Sequence, residues 1–377
     1  MKRHSARWCA LAALLTALAA CFAISLCAGA SGMSARRVWE LLRGTAGDAA
    51  EAGILFHIRM PRAFAACLCG AALATSGLLL QTALGNGLAS PGTIGVNSGA
   101  GFAVVLAAVL FPPAPLSRVA AAFVGAMLTA LMVYGLACKT GASRLTIVMA
   151  GLALSSLLSA ASDALVTLWP DALLDRSTFS IGGFGSVTMA SVQTIAPFIG
   201  VGLLAAFLLS PGLNLLLLGD ETARSLGLNA RACRFMTIVC AALLAAAAVS
   251  IGGLFSFLGL LAPHMARFLV GNDARWQVPL SALGGAILLL VCDTLARAHS
   301  SRPMNCPWAS CSRFWACRFS SACFSPAKGG ASCSARPPNV HRGFTGCHNF
   351  AIALPCALRY TICRNECDKT EVRLCTF

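Results

Sequence analysis

Nine blocks of roughly 20 mostly apolar residues follow one another along the first 297 residues of this 377-residue chain. A helix of about 20 residues, rising 1.5 Å per residue, is what crosses a hydrocarbon layer of about 30 Å. The blocks lie at 8–30, 63–82, 95–112, 117–137, 145–168, 190–210, 233–252, 254–270 and 277–297, with mostly short links between them. Only 11% of residues are charged, against about 25% in soluble domains. Apolar residues fill the blocks instead of forming amphipathic stripes, which excludes one large soluble core. Gly and Ala are frequent within them. Small residues let helices approach closely in lipid, where no hydrophobic force drives them together. The chain therefore reads as an all-α, polytopic transmembrane helical bundle with nine spans as written.

Charge sets the expected orientation. Lys2, Arg3 and Arg7 precede the first block, and basic flanks stay on the cytoplasmic side. Leu18-Ala19-Ala20-Cys21 could pass for a lipoprotein cleavage site. The spans that follow favour an uncleaved first helix with a cytoplasmic N-terminus. Lys139, Arg144, Arg224, Arg231, Arg234, Arg267 and Arg275 then fall inside. Residues 31–60 form a polar, amphipathic external loop. Arg59 and Arg62 fall outside, against the trend, and need a reason. The net charge of +15 suits membrane loops; no soluble module with a basic face is present to bind nucleic acid.

Catalytic signals are sparse. No Gly-x-x-x-x-Gly-Lys-Ser/Thr loop occurs, so any ATP-driven step is expected on another chain. No His, Cys, Asp and Glu set has metal-ligand spacing, and no cofactor is expected. His264, which follows Pro263, reads as a structural hydrogen-bonding group at a helix bend. Asp163 lies in the fifth block, where a carboxylate is costly; an aqueous path and the outer interface are both open to it. Most of the nine Cys in residues 1–297 sit inside apolar blocks, where Cys behaves as a small hydrophobe. Turns are expected at Ser90-Pro91-Gly92, Phe111-Pro112-Pro113 and Ser210-Pro211-Gly212.

One cytoplasmic stretch stands out. Leu213-Asn214-Leu215-Leu216-Leu217-Leu218-Gly219-Asp220 runs into Glu221-Thr222-Ala223-Arg224-Ser225-Leu226-Gly227. The pattern predicts a short amphipathic helix closed by Gly227, a favoured C-terminal cap residue. Such a helix at the membrane surface can fit a groove on a soluble partner.

Glu-x-Ala-x-x-x-Gly at this place resembles the coupling loop of ABC importer permeases. The wider chain resembles the iron-siderophore, haem and cobalamin permease family. The match runs through Arg59-Met60-Pro61-Arg62, Gly70-Ala71-Ala72-Leu73-Ala74 and Ser76-Gly77. It continues in Asn86-Gly87-Leu88-Ala89-Ser90-Pro91-Gly92 and Gly95-Val96-Asn97-Ser98-Gly99-Ala100. Further on come Leu217-Leu218-Gly219-Asp220 through Gly227, then Gly252-Gly253-Leu254-Phe255-Ser256-Phe257-Leu258-Gly259-Leu260, Pro263-His264, Arg267, and Asp293-Thr294-Leu295-Ala296-Arg297. It covers about residues 55–297. Gly87 stands where the family usually has Pro, and Gly85 where Arg is usual; both substitutions would loosen that turn.

The resemblance implies ten spans per subunit, a homodimer in the bacterial cytoplasmic (inner) membrane, two ATPase subunits inside, and one periplasmic or lipid-anchored substrate-binding protein outside. It implies coupling to the ATPase through Glu221, Ala223, Arg224 and Gly227. It implies docking of the binding protein on Arg59, Arg62 and Arg297, and a cytoplasmic gate at Asn86 and Leu88. The function implied is alternating-access import of an iron chelate or cobalamin, without chemistry on the cargo. An ion-coupled secondary transporter is the alternative, and would need carboxylates near the midplane.

Residues 298–377 break the pattern. They hold ten Cys, in no zinc-like spacing, and ten of the Lys and Arg residues, where a tenth span should follow. The genetic code offers a test. Each shifted codon takes the last base of one residue and the first two of the next. Met304-Asn305 must then give Glu and Asn305-Cys306 must give Leu; Cys306-Pro307 permits Pro, Pro307-Trp308 permits Val, and Trp308-Ala309 must give Gly. Glu-Leu-Pro-Val-Gly is how the family's tenth span begins. Residues 316–324 permit Val-Pro-Phe-Phe-Ile-Cys-Leu-Leu in the same frame. The expected division is thus a permease domain over 1–297 and a frameshifted tail over 298–377. Arg302, Arg313 and Arg318, at about 2.5–3.5 kcal/mol each near a helix centre, would keep the written tail out of the bilayer. Resequencing the gene across the Arg297 codon, and measuring ferric-chelate uptake with and without a one-base correction, checks this. The corrected chain is expected to transport better; a confirmed written frame with equal uptake would contradict the reading.

Overall fold

The computed structural model describes residues 2–28, 33–44, 49–110, 115–139, 144–255 and 257–299, and among these every regular element is helical. α1 (Lys2–Cys27) is followed by two short helices, α2 (Ala35–Leu42) and α3 (Ala49–Gly53). A π-helical turn, Ile54–Arg59, joins α3 to α4 (Met60–Leu84), and a 3-10 turn, Pro91–Ile94, precedes α5 (Val96–Leu110). α6 (Pro115–Lys139), α7 (Arg144–Leu168), α8 (Ala172–Ile181) and α9 (Met189–Leu216) come next. They are followed by α10 (Asp220–Ser225), α11 (Ala230–Gly252), α12 (Leu258–Val270) and α13 (Ala274–His299). The chain divides into a unit Met1–Ser325, which holds all the described residues, and a second unit Pro326–Phe377. The expected Phe111-Pro112-Pro113 turn and the tail from residue 300 lie outside the described residues.

Each of the nine apolar blocks contains a helix, so the chain is a helical membrane bundle. Among the described residues, seven helical runs are long and apolar enough to cross a membrane: α1, the α3–α4 run, α6, α7, α9, α11 and α13. The blocks at 95–112 and 254–270 depart from expectation. α5 has 15 residues and α12 has 13, about 20–23 Å of helix. Both start late, after irregular backbone that runs beside α4. At the start of α12, Gly259 lies against Gly77 and the Leu73 carbonyl, both well inside α4, and Gln81 Nε2 donates to the Gly259 carbonyl at 3.0 Å. Irregular backbone at membrane depth survives only where protein covers it and satisfies its polar groups. Here Gly183 N donates to Gly252 O at 2.7 Å and Leu254 N to Phe179 O at 3.3 Å. A long helix, an irregular connection and a short helix thus occur twice, as α4–α5 and as α11–α12, running in opposite directions.

α4 is the axis of the bundle. Every residue from Ala72 to Leu84 is buried, as expected of a helix that is apolar all round. Close approach comes from glycine pairs: a Cβ on Gly70 would overlap the Gly285 carbonyl of α13, and one on Gly77 the Gly259 carbonyl of α12. Small polar groups add local bonds, Ser76 Oγ to the Ala241 carbonyl of α11 at 2.6 Å and Cys69 Sγ to the Ala248 carbonyl at 3.5 Å. Cys69 and Cys240 are buried free thiols, in keeping with their reading as small hydrophobes.

Two expectations about turns need correction. Pro211 does not end its span: α9 runs through it to Leu216. A proline removes one helical hydrogen bond, and the buried Leu213 and Leu216 hold the extra turn against the bundle. The single helix expected over 213–227 is also broken, because Gly219 takes φ +100°. The break separates the end of α9 from α10.

Candidate functional site

Two polar clusters sit at opposite ends of the bundle. At one end, α10 is a short helix held at both of its ends and exposed along its length. Gly227 has φ +84°. Its N–H bonds the Arg224 carbonyl at 2.9 Å, and Leu228 N bonds Ala223 O at 3.0 Å, a closure that a left-handed glycine makes possible. Of the expected coupling residues, Ala223 is buried as the anchor, Gly227 makes the turn, and Glu221 and Arg224 are exposed. Leu217, Leu218 and Leu226 are 45%, 58% and 59% exposed around them. A shallow depression beside α10 is lined by Arg224, Gly227, Leu228, Asn229, Ala230 and Arg231. The segment thus presents apolar and charged groups from a backbone that is fully tied down.

Two anchors hold this region. Asn214, at the end of α9, donates to Asp273 Oδ1 at 3.1 Å and accepts from Ala274 N at 2.7 Å. Arg7 of α1 reaches the other oxygen of Asp273 at 3.3 Å. On the far side of the Gly219 break, Asp220 is gripped by Arg234 Nη2 at 2.6 and 2.8 Å. Arg234 Nε also donates to the Ala83 carbonyl at 3.0 Å, in the last turn of α4.

The expected gate residues follow directly from that turn. Gly85 closes α4 with φ +58°. Asn86 N donates to Gln81 O at 3.1 Å, Asn86 Oδ1 accepts from Leu88 N at 2.9 Å, and Ala89 N bonds Asn86 O at 3.1 Å. Glycines at 85 and 87 were expected to loosen this turn; its hydrogen bonds are nevertheless closed. Leu88 projects with 71% exposure.

At the opposite end, the three expected docking arginines meet. Arg59, delivered by the π turn, is buried and donates to the Leu26 and Cys27 carbonyls of α1 at 2.6 and 2.9 Å. Cationic groups are favoured at a helix C-terminus, where unpaired carbonyls and the helix dipole carry negative charge. Arg62 Nε lies 2.9 and 3.1 Å from the two oxygens of Asp293. Arg297 Nε sits 3.0 Å from Asp293, and its Nη2 donates to Ser25 Oγ at 2.6 Å. Asp293 is fully buried, so one carboxylate serves two guanidiniums. The departure of Arg59 and Arg62 from the charge rule has its reason here: the three arginines knit α1, α4 and α13 together. Arg62 keeps the most exposure, with 21% of its side chain reachable against 12% for Arg297.

Asp163 pairs with Arg176 of α8, and Arg118 with Asp175 at 3.0 Å. Asp163 is thus an exposed carboxylate held by a cation from the next helix. The Arg118–Asp175 pair borders a cavity of 170 Å³ together with Ser191, Ser250 and the backbone of Gly182 and Gly253. His264 packs edge-on against Phe268 at 4.9 Å. Among the described residues no group of three or more His, Cys, Asp or Glu could hold a metal ion. Sequence reasoning passed over Arg234 and the pairing of Asp293. The i,i+4 spacing of Asp293 and Arg297 was a usable local signal; the Arg62 partner, 231 residues away, left none.

The profile of the FecCD transport family matches residues 17–310. The chain is 36% identical over 275 residues to the hemin transport system permease protein HmuU of Yersinia pestis, covering 71% of this chain and 81% of that one. It is 35% identical over 291 residues to the ferric enterobactin transport system permease protein FepD of Escherichia coli K12, covering 76% and 87%. A solved protein described as a metal-chelate type ABC transporter, in an inward-facing conformation, superposes with a TM-score of 0.74 at 26% identity, over 83% of this chain and 97% of that one.

The Asp293 cluster makes a sharp stability prediction. Asp293→Ala leaves two half-buried guanidiniums without their shared buried carboxylate, and removing one partner of a buried pair costs about 3–5 kcal/mol. Arg36→Ala, which removes an exposed i,i+4 pair with Glu40, is expected to cost no more than about 1 kcal/mol. Thermal unfolding of the two variants in the same detergent checks the contrast.

Proposed function

The chain belongs to the FecCD transport family, and we propose that it is the membrane-spanning permease subunit of an ATP-binding-cassette importer. The observation that carries this reading is α10: a short, capped, partner-facing helix between two long spans, anchored to the bundle on both sides of the Gly219 break. An ATPase subunit would seat on its exposed face, with Glu221 and Arg224 as polar contacts and Leu217, Leu218 and Leu226 as apolar ones. ATP hydrolysis would then belong to the partner chain. That end of the bundle is the cytoplasmic end, which puts the N-terminus inside and the protein in the bacterial cytoplasmic membrane.

The cargo we propose is an iron chelate, a siderophore or haem, as in the relatives' names; cobalamin stays within the same class. Two copies would enclose the path, with Asn86 and Leu88 at the inner gate, and alternating access would move the cargo. The opposite end would receive the substrate-binding protein. There the Arg59, Arg62 and Arg297 cluster holds more positive charge than Asp293 balances, which favours acidic lobes. Arg62 is the arginine best placed to touch them, while Arg59 shapes the rim from beneath. The frameshifted tail belongs to this proposal too; the family match itself runs to residue 310, beyond the expected boundary at 297. An ion-coupled mechanism is less well supported, because the three carboxylates within the described apolar helical runs, Glu51, Asp163 and Asp293, are each held in an ion pair.

Crosslinking tests the reading. Ser225 is exposed and bonds only its own helix, at Thr222 O, so Ser225→Cys should leave α10 intact. It is expected to crosslink to a cysteine in the groove of the partner ATPase in inverted membrane vesicles. Labelling of Ser225→Cys from outside intact cells would overturn both the topology and the role.

A further inference from the structure

We propose that Arg234 is a positioning residue that carries displacement of α10 to the end of α4 and the gate loop at 85–88. The inference rests on the importer reading and extends it. Three features point to it. The Gly219 break interrupts the helix between α9 and α10, and the end of α9 is fixed separately through Asn214 and Asp273. Arg234 then spans the gap, with Nη2 on both oxygens of Asp220 and Nε on the Ala83 carbonyl. Finally, the loop beyond Ala83 is closed on itself through Asn86, from Gln81 to Ala89, so it follows the end of α4 as one piece.

The chemistry suits the task. The planar guanidinium sets Nη2 on the carboxylate and Nε on the carbonyl in fixed relation, and its charge strengthens the bond to Asp220. Arg234 is only 11% exposed at its side chain, so water competes little for it. The third contact, to a backbone carbonyl, connects to α4 itself rather than to another mobile side chain. Lysine offers a single point charge and cannot hold a carboxylate and a carbonyl in fixed relation as a planar fork does. A push on α10 that moves Asp220 therefore moves Arg234 and, through Ala83, the gate loop, while α9 stays in place.

The test uses the full chain assembled with its ATPase. Two readouts are taken: the Ser225→Cys crosslink to the ATPase, and the rate at which a thiol reagent labels Leu88→Cys with and without a non-hydrolysable ATP analogue. Labelling is read at residue 88 by peptide mass spectrometry, since other cysteines are present. In the chain with Arg234 and Asp220 intact, the nucleotide is expected to change the labelling rate at residue 88. In Arg234→Gln and Asp220→Asn, the Ser225 crosslink should persist while the nucleotide response shrinks by about threefold or more, within the range over which coupling residues act. Arg234→Lys, which keeps the charge beside Asp220, should fold even where Arg234→Gln does not, and should lose response in the same direction.

An undiminished response in Arg234→Gln or Arg234→Lys would overturn the relay. So would residue 88 labelling that ignores nucleotide with Arg234 and Asp220 intact. Loss of the Ser225 crosslink in all three variants would assign Arg234 to folding alone and overturn it too. Absence of that crosslink with both residues intact defeats the importer reading itself, a distinct failure.

Discussion

α4 touches two neighbouring helices backbone to backbone, and the rest of the bundle is arranged around those contacts. In water such packing would be helped by the hydrophobic effect; in lipid the tails are as apolar as the side chains, and shape alone decides. Gly70 against Gly285 and Gly77 against Gly259 leave no room for a Cβ. α13 and α12 are thereby set at fixed heights along α4. α12 begins beside Gly77, and the backbone leading toward it, Gly253 to Phe255, is not helical. Its polar groups are instead satisfied by Phe179 and Gly183 near α8.

The same arrangement places the charges. With α13 held against α4, Asp293 lies level with Arg62, and the π turn before α4 turns Arg59 onto the end of α1. Buried ions are tolerated only when paired and hydrogen-bonded, and this cluster meets that condition through the carboxylate, Ser25 and the α1 carbonyls. At the other end α4 finishes against Arg234, which also holds α10. One helix therefore reaches from the arginine cluster to the loop at 85–88, and both ends are tied to elements that would face partner proteins.

Much of this was legible in the sequence, for physical reasons. Apolar length is a one-dimensional property, so α1, α4, α5, α6, α7, α9, α11, α12 and α13 each showed as a block, and Gly227 marked the end of α10 because few residues other than glycine accept its backbone angle. Length alone misjudged α5 and α12: residues 95, 254 and 255 continue the apolar blocks, and only the packing on α4 reveals that they are not helical. Pro211 misled in the opposite direction, since the cost of one lost hydrogen bond is outweighed by burying Leu213 and Leu216. Arg59 and Arg62 were singled out because their charge ran against the side expected of them, and Arg297 joined them through the family resemblance. That signal said they needed partners without saying which; the partners are Leu26, Cys27 and Asp293, brought near by folding. Arg234 looked like one more inward-side cation because one of its partners, the Ala83 carbonyl, is a backbone atom that no side-chain pattern announces.

The central claim is that this bundle is moved by an ATPase acting from the α10 side. The most direct measurement is uptake of a radiolabelled ferric siderophore into proteoliposomes holding the frame-corrected chain, the partner ATPase and the binding protein. The account predicts uptake that requires internal-side ATP and all three proteins and is indifferent to an imposed proton or sodium gradient. Uptake driven by such a gradient in vesicles without the ATPase would contradict it.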